Sequence, residues 1–145
     1  MAQKGMFDVD ISGAKEIQEA FKKYGTRILT APETQGAVVK SGIEISNEAK
    51  KILNDKIYNA PFRGYRRTGL LRSRTLGDAK SRVDGNNIVT SVRSRTKYAK
   101  YIEFGTSRMK ARPFLRPATD RKRKDTLNTI NKGLFKFLAN NASKV

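Results

Sequence analysis

Apolar side chains recur along the chain with helical spacing in three long stretches and with strand spacing in three shorter ones. Residues 6–11, MFDVDI, alternate apolar and acidic, which predicts a short strand. Ser12 is placed to cap a helix in which Ile17, Phe21, Tyr24 and Ile28 share one face, and Gly25 interrupts or ends it. Pro32 suits a first helical position and Glu33 the positive end of a helix dipole, so a longer helix is expected to begin there. Along it Val38, Gly42, Ile45, Ala49 and Ile52 form a stripe, widened by Leu53, that would back a sheet. Thr75 to Val83 and Ile88 to Arg95 read as two strands, with Asp84-Gly85 between them as a hairpin signal and Ile88, Thr90 and Val92 on the buried side. After Pro117 a third helix is expected, burying Leu127, Ile130, Leu134, Phe137 and Leu138. In it Gly133 costs ~1 kcal/mol relative to alanine, and residues 140–145 fray. At 145 residues this makes one α+β domain, 1–145, in which a small antiparallel sheet with a hairpin packs against two or three helices.

The segment Tyr98–Pro117 needs particular backbone shapes. Tyr98, Tyr101 and Ile102 are spaced for one face of a helical turn, and Phe104 would close that face. Gly105 suits the left-handed stop of a helix, and Thr106 and Ser107 can hydrogen-bond to the turning backbone. Arg112 precedes Pro113 and Arg116 precedes Pro117, so both arginines are biased towards extended geometry and bracket Phe114 and Leu115, which anchor the segment to the core. Glu103 lies between apolar neighbours and needs a partner. Arg112 or Arg116 could supply bidentate bonds, fixing the Gly105 turn or a contact between subunits.

Charge changes the picture. The net +18 is concentrated between residues 60 and 124, which hold nineteen Lys/Arg and four Asp/Glu, against nine and eight before them and three and one after. So basic a segment implies an anionic partner, nucleic acid or acidic protein. The stretch 58–67 lacks periodicity and mixes Pro61, Gly64, three aromatics and three arginines, which reads as a mobile basic and aromatic loop. Its arginines and rings suit a single-strand platform, though a surface loop ordering against a neighbouring subunit is the reading favoured here. Thr68 can cap a short turn carrying Leu70 and Leu71. Arg63, Arg66, Arg67, Arg72, Arg74, Arg108, Lys110, Arg121, Lys122, Arg123 and Lys124 are the candidates for contact with DNA or a protein interface. The last four sit where a helix N-terminus disfavours cations, and only Asp120 helps locally.

Catalytic chemistry has little support. Asp78, Asp84, Glu103 and Asp120 are the only acids in the basic segment, and no spacing pairs them as acid and base. Without cysteine or histidine the chain lacks the usual ligands of zinc, copper and haem, so no metal, cofactor or disulfide is expected. No apolar run has signal-peptide or membrane-span length, which predicts a soluble, intracellular product.

The run Tyr98-Ala99, Tyr101-Ile102, Glu103-Phe104-Gly105-Thr106 and Arg112-Pro113-Phe114-Leu115-Arg116-Pro117-Ala118 resembles a family of minor virion proteins of long-tailed bacteriophages. Upstream, Thr68-Gly69-Leu70-Leu71 is similar to the family's Thr-Gly-x-Leu, although Arg74 stands where the family has a serine. The resemblance implies a non-enzymatic neck, connector or tail-completion protein. It would be made in the host cytoplasm and built into the virion neck as a hexameric or dodecameric ring joining the DNA-filled head to the tail. Its partners would be other connector, head-completion or tail-terminator proteins and the threaded genomic DNA, with no membrane. The rival is a general basic nucleic-acid-binding protein, for which the charge alone suffices.

Overall fold

The computed structural model describes residues 22, 24–59 and 69–142; the strand expected at 6–11, the Ser12 cap, Thr68 and all of the 58–67 loop beyond Asn59 lie outside them. Gly25, at φ 47°, interrupts the first helical stretch as expected, and α1 resumes over Thr26–Thr30. Ala31 is extended, and α2 then starts at Pro32 and runs to Leu53. It continues into a π-helical turn, Asn54–Tyr58, so Tyr58 is not loop: it packs against the core. A short α3, Leu70–Ser73, follows Gly69, whose φ of 72° gives the chain its entry into the turn. Four strands follow, β1 Thr75–Gly77, β2 Arg82–Asp84, β3 Asn87–Val89 and β4 Val92–Ser94, then α4 Ala99–Phe104 and α5 Leu115–Ala142.

The fold is α+β, with two small antiparallel sheets of two strands each packed against helices. The expected hairpin is present but divided. β1 pairs with β4 through Thr75 and Ser94, and β2 with β3 through Arg82 and Val89. Four residues, 78–81, separate the two pairings on one side and only two, Thr90 and Ser91, on the other, so one register cannot serve the whole hairpin. Across the break Asp78 N–H donates to Ser91 O at 2.8 Å, and Arg93 Nη2 reaches both Asp78 carboxylate oxygens at 2.9 Å. The tip is the two-residue loop Gly85-Asn86, with Gly85 at φ 57°.

The long helices α2 and α5 pack along one another, and β1 crosses α2 from another side. With two neighbours to accommodate, α2 buries small residues. Its buried set is Thr34, Ala37, Ser41, Gly42, Ser46, Ala49, Ile52 and Leu53, whereas Val38 and Ile45 of the expected stripe are only half-buried. The buried hydroxyls return to the backbone: Thr34 Oγ1 donates to Ala31 O and Ile28 O, Ser41 Oγ to Ala37 O at 2.9 Å, and Ser46 Oγ to Ile43 O at 2.8 Å. Where β1 crosses, a Cβ on Gly77 would lie 2.8 Å from the carbonyl carbon and oxygen of Gly42, so backbone meets backbone.

Helix α5 begins at Leu115, before rather than after Pro117. Phe137 is buried as expected, but Leu127 is 43% exposed and Ile130, Leu134 and Leu138 are half-buried. Ala118 and Gly133 complete the inner face instead. Of the tail 140–145, residues 140–142 are described. They are helical, with Asn140 Nδ2 donating to Glu33 Oε1 at 3.0 Å and Asn141 Nδ2 to Phe137 O at 2.8 Å. One core cluster joins Ala49, Ile52, Leu53, Leu71, Ala99, Phe114 and Ala118. A second joins Ile28, Ala31 and Phe137, with Tyr24 edge-on to Phe137 at 5.7 Å between ring centres.

Helix propensity alone makes Gly133 a weak point, but packing reverses that judgement. A Cβ there would sit 2.6 Å from Ala37 Cβ and 2.9 Å from Glu33 O, so only glycine lets the helices approach this closely. Gly133→Ala is therefore expected to lower stability by about 1–3 kcal/mol through overpacking, although an isolated helix would gain ~1 kcal/mol. Urea unfolding reads the sign directly; a gain in stability would mean that the helices separate without cost.

Candidate functional site

The structure brings the Tyr98–Pro117 segment together as one unit around α4 and the start of α5. Gly105 ends α4 with φ 76° and ψ −177°, and its amide donates to Tyr101 O at 2.8 Å. A side chain here would strike backbone, since a Cβ would lie 2.7 Å from Ala111 N and 2.8 Å from Met109 O. The chain turns back through a bridge between Thr106 and Met109, and Arg112 N–H donates to Ile102 O at 2.7 Å. Phe114 then enters the core fully buried, and Leu115 is half-buried beside it, but Arg116 is helical rather than extended, because Pro117 falls in the first turn of α5, where no N–H is needed.

Glu103 is the buried centre of this unit, but its partners are not the arginines. Oε2 accepts the amides of Phe114 at 2.8 Å and Leu115 at 3.0 Å, and Oε1 accepts that of Arg116 at 3.0 Å. These are the amides preceding the first intrahelical bond, from Ala118 N–H to Phe114 O at 3.3 Å. The residue between, Pro117, has no N–H to satisfy. One carboxylate and one proline thus account for every orphan donor of α5. Glu103 also supplies the negative charge that this helix start was expected to lack.

The expected aromatic face is reversed. Ala99 and Glu103 point inward and Ile102 is half-buried, whereas Tyr98 is 40%, Tyr101 47% and Phe104 81% exposed. Met109 of the following turn is exposed beside them. Lys100 Nζ stands 4.9 Å from the centre of the Tyr101 ring, a cation–π contact.

The basic candidates divide into separate groups. Arg63, Arg66 and Arg67 lie outside the described residues. Arg72 lies over the Tyr58 ring at 5.4 Å and donates to Asn54 Oδ1 at 2.9 Å, so it braces the π-helical turn. Arg74 is exposed at the end of α3, its carbonyl accepting the Arg95 amide at 3.0 Å. Arg108 and Lys110 are exposed on the turn next to Phe104. On α5, Arg121 pairs with Glu48 at 3.2 Å and Lys122 with Asp125 at 2.9 Å. Arg123 and Lys124 are exposed there without an ion pair among the described residues, and Arg123 edges a shallow hollow of about 230 Å³ floored by Ile45 and Leu127. The hydrogen bond to Asp125, then that residue's charge, raise the Lys122 ammonium above the usual lysine value, with Glu48 and Glu44 adding to it against slight desolvation. A raised lysine keeps its charge to higher pH, so whatever this pair contributes is intact near neutrality and lost only in strong alkali.

Lys97 and Lys100, which flank the exposed rings, were not among the sequence candidates. The signal lay in the i, i+3 repeat Tyr98, Tyr101, Phe104, which runs along the side of the turn away from Ala99 and Glu103. Among the described residues no group of three or more His, Cys, Asp or Glu could hold a metal ion, and no helix is long and apolar enough to cross a membrane.

Removing the carboxylate should expose the cost of the three amides. Glu103→Ala is expected to lose roughly 3 kcal/mol of stability, and Glu103→Gln, which keeps one acceptor but turns an NH₂ towards an N–H, an intermediate amount. Equilibrium unfolding of both variants measures this; wild-type stability in either would remove the carboxylate from its structural role.

Compared with known proteins, the chain matches no family model, no curated protein and no solved structure.

Proposed function

We propose that the chain is a structural protein of the neck of a long-tailed bacteriophage, assembling as a sixfold or twelvefold ring that joins the DNA-filled head to the tail. The observation that carries this reading is how the recognisable segment Tyr98–Pro117 is used. Glu103, Gly105, Phe114 and Pro117 interlock into one rigid unit while Tyr98, Tyr101, Phe104, Arg108 and Lys110 are left on its surface. A motif that spends its buried residues on local rigidity and its exposed ones on rings and cations suits docking rather than chemistry.

The mechanism is association by complementary charge. Basic side chains of residues 60–74 and 108–124 meet acidic surfaces of adjacent rings, or the threaded DNA, and raise the encounter rate and orient the partners. The rings beside Arg108 then supply the desolvated contact that charge alone does not.

Electron microscopy of a lysate of the source phage with this gene disrupted tests the reading. Separated full heads and finished tails are the expected result, and normally joined particles would overturn it. In complementation, reversing Arg66 and Arg67 to glutamate should lower the yield of joined particles well below wild type. Undiminished joining would remove those two arginines from the contact.

A further inference from the structure

Tyr98 and the rings of α4 form an exposed surface that no described residue buries. Tyr98, Tyr101 and Phe104 lie on its outer side, with Met109 adjoining, and the backbone beneath them is fixed by the Gly105 turn, the Glu103 bonds and the Arg112–Ile102 hydrogen bond. Lys100 lies over Tyr101, and Lys97, Arg108 and Lys110 flank the rings in sequence; all four are exposed and none is in an ion pair among the described residues. Glu103, the one acid between residues 95 and 116, is buried and engaged with backbone amides. The arrangement is an apolar centre with a cationic rim.

We propose that this face, with Phe104 as its anchor, docks into an apolar recess bordered by carboxylates on a different protein. The inference rests on the head-to-tail reading, within which it names the surface and its partner's chemistry. Charge complementarity selects the occupant. A second copy presents no matching acidic surface among the described residues, because Glu48, Asp78 and Asp125 are already paired with Arg121, Arg93 and Lys122 and Glu33 accepts from Asn140, while Asp8, Asp10, Glu16 and Glu19 lie outside those residues. Glu44, Asp55, Asp84 and Asp120 are scattered over α2, the π-helical turn, the hairpin tip and α5. Nucleic acid is disfavoured by geometry. Base stacking needs open, flat ring faces, but Lys100 already lies over Tyr101. A projecting, 81%-exposed phenylalanine instead suits insertion into a pocket.

The test complements the gene-disrupted phage with Phe104→Asp and with Phe104→Leu, and compares both purified proteins with wild type by native mass and melting temperature. Because Phe104 is so exposed, folding is expected to be unchanged. Joined particles should fall at least tenfold with Phe104→Asp and be largely restored with Phe104→Leu, while the native mass of the ring stays the same. Full joining with Phe104→Asp, in a phage whose disruption does separate heads from tails, would overturn this inference and leave the connector reading standing. Normal particles from the disrupted phage would take both. A loss of ring mass in Phe104→Asp would assign the face to a second copy. A tenfold or greater loss of binding to labelled oligothymidylate in low salt would assign it to nucleic acid. Either result would also overturn the proposal.

Discussion

The three hydrogen bonds from backbone amides to the Glu103 carboxylate are the constraint on which the rest of this structure depends. A buried carboxylate is costly to desolvate, and a helix start with unpaired amides is costly too; joined, the two offset each other. The bonds also fix the spatial relation of α4 to α5. Phe114, which donates one of them, enters the main cluster against elements from α2, α3 and α4, and Lys56 Nζ holds the neighbouring Pro113 carbonyl at 2.9 Å. Because α5 packs along nearly the whole of α2, an error at its first turn would be carried down its length.

Much of the architecture was legible in the residues. Pro32 marked the start of α2, Gly25 the break before it, Gly105 the end of α4, and the hairpin and long C-terminal helix followed from their patterns. What was hidden has physical causes. Hydropathy weighs large apolar residues, so it pointed to Val38 and Leu127, whereas close crossings select small residues such as Ala37, Ser41 and Gly133. Both sides of α4 carry apolar groups, and periodicity cannot say which turns inward. Two residues decide it: Ala99 is small enough for the core, and Glu103 is drawn in by amides eleven to thirteen positions away. An arginine partner for Glu103 was the natural expectation because side-chain charges are visible in a sequence and orphan backbone donors are not.

The basic surface is not there for stability. Its ion pairs among the described residues, Lys51–Glu48, Arg93–Asp78, Arg121–Glu48 and Lys122–Asp125, are at least partly exposed, and such pairs contribute little. The net charge of +18 instead adds self-repulsion to the folded chain. The fold withstands this because its cohesion lies in the α2–α5 packing and the cluster around Phe114, largely apart from the cations. Surface charge and core are separable here, so the surface can serve association without compromising the fold.

The broken register of the hairpin has a mechanical consequence. Its inner half, β1 with β4, is seated on α2 by the Gly77–Gly42 contact, whereas its outer half has its own pairing and ends at Gly85, where an added Cβ would meet open space. The offset between them acts as a joint. A fused tag or a few inserted residues at the tip would bear first on the outer pairing, and only then on the Asp78–Ser91 step and the strands seated on α2. For anyone attaching a probe to this protein, the hairpin tip is the natural handle.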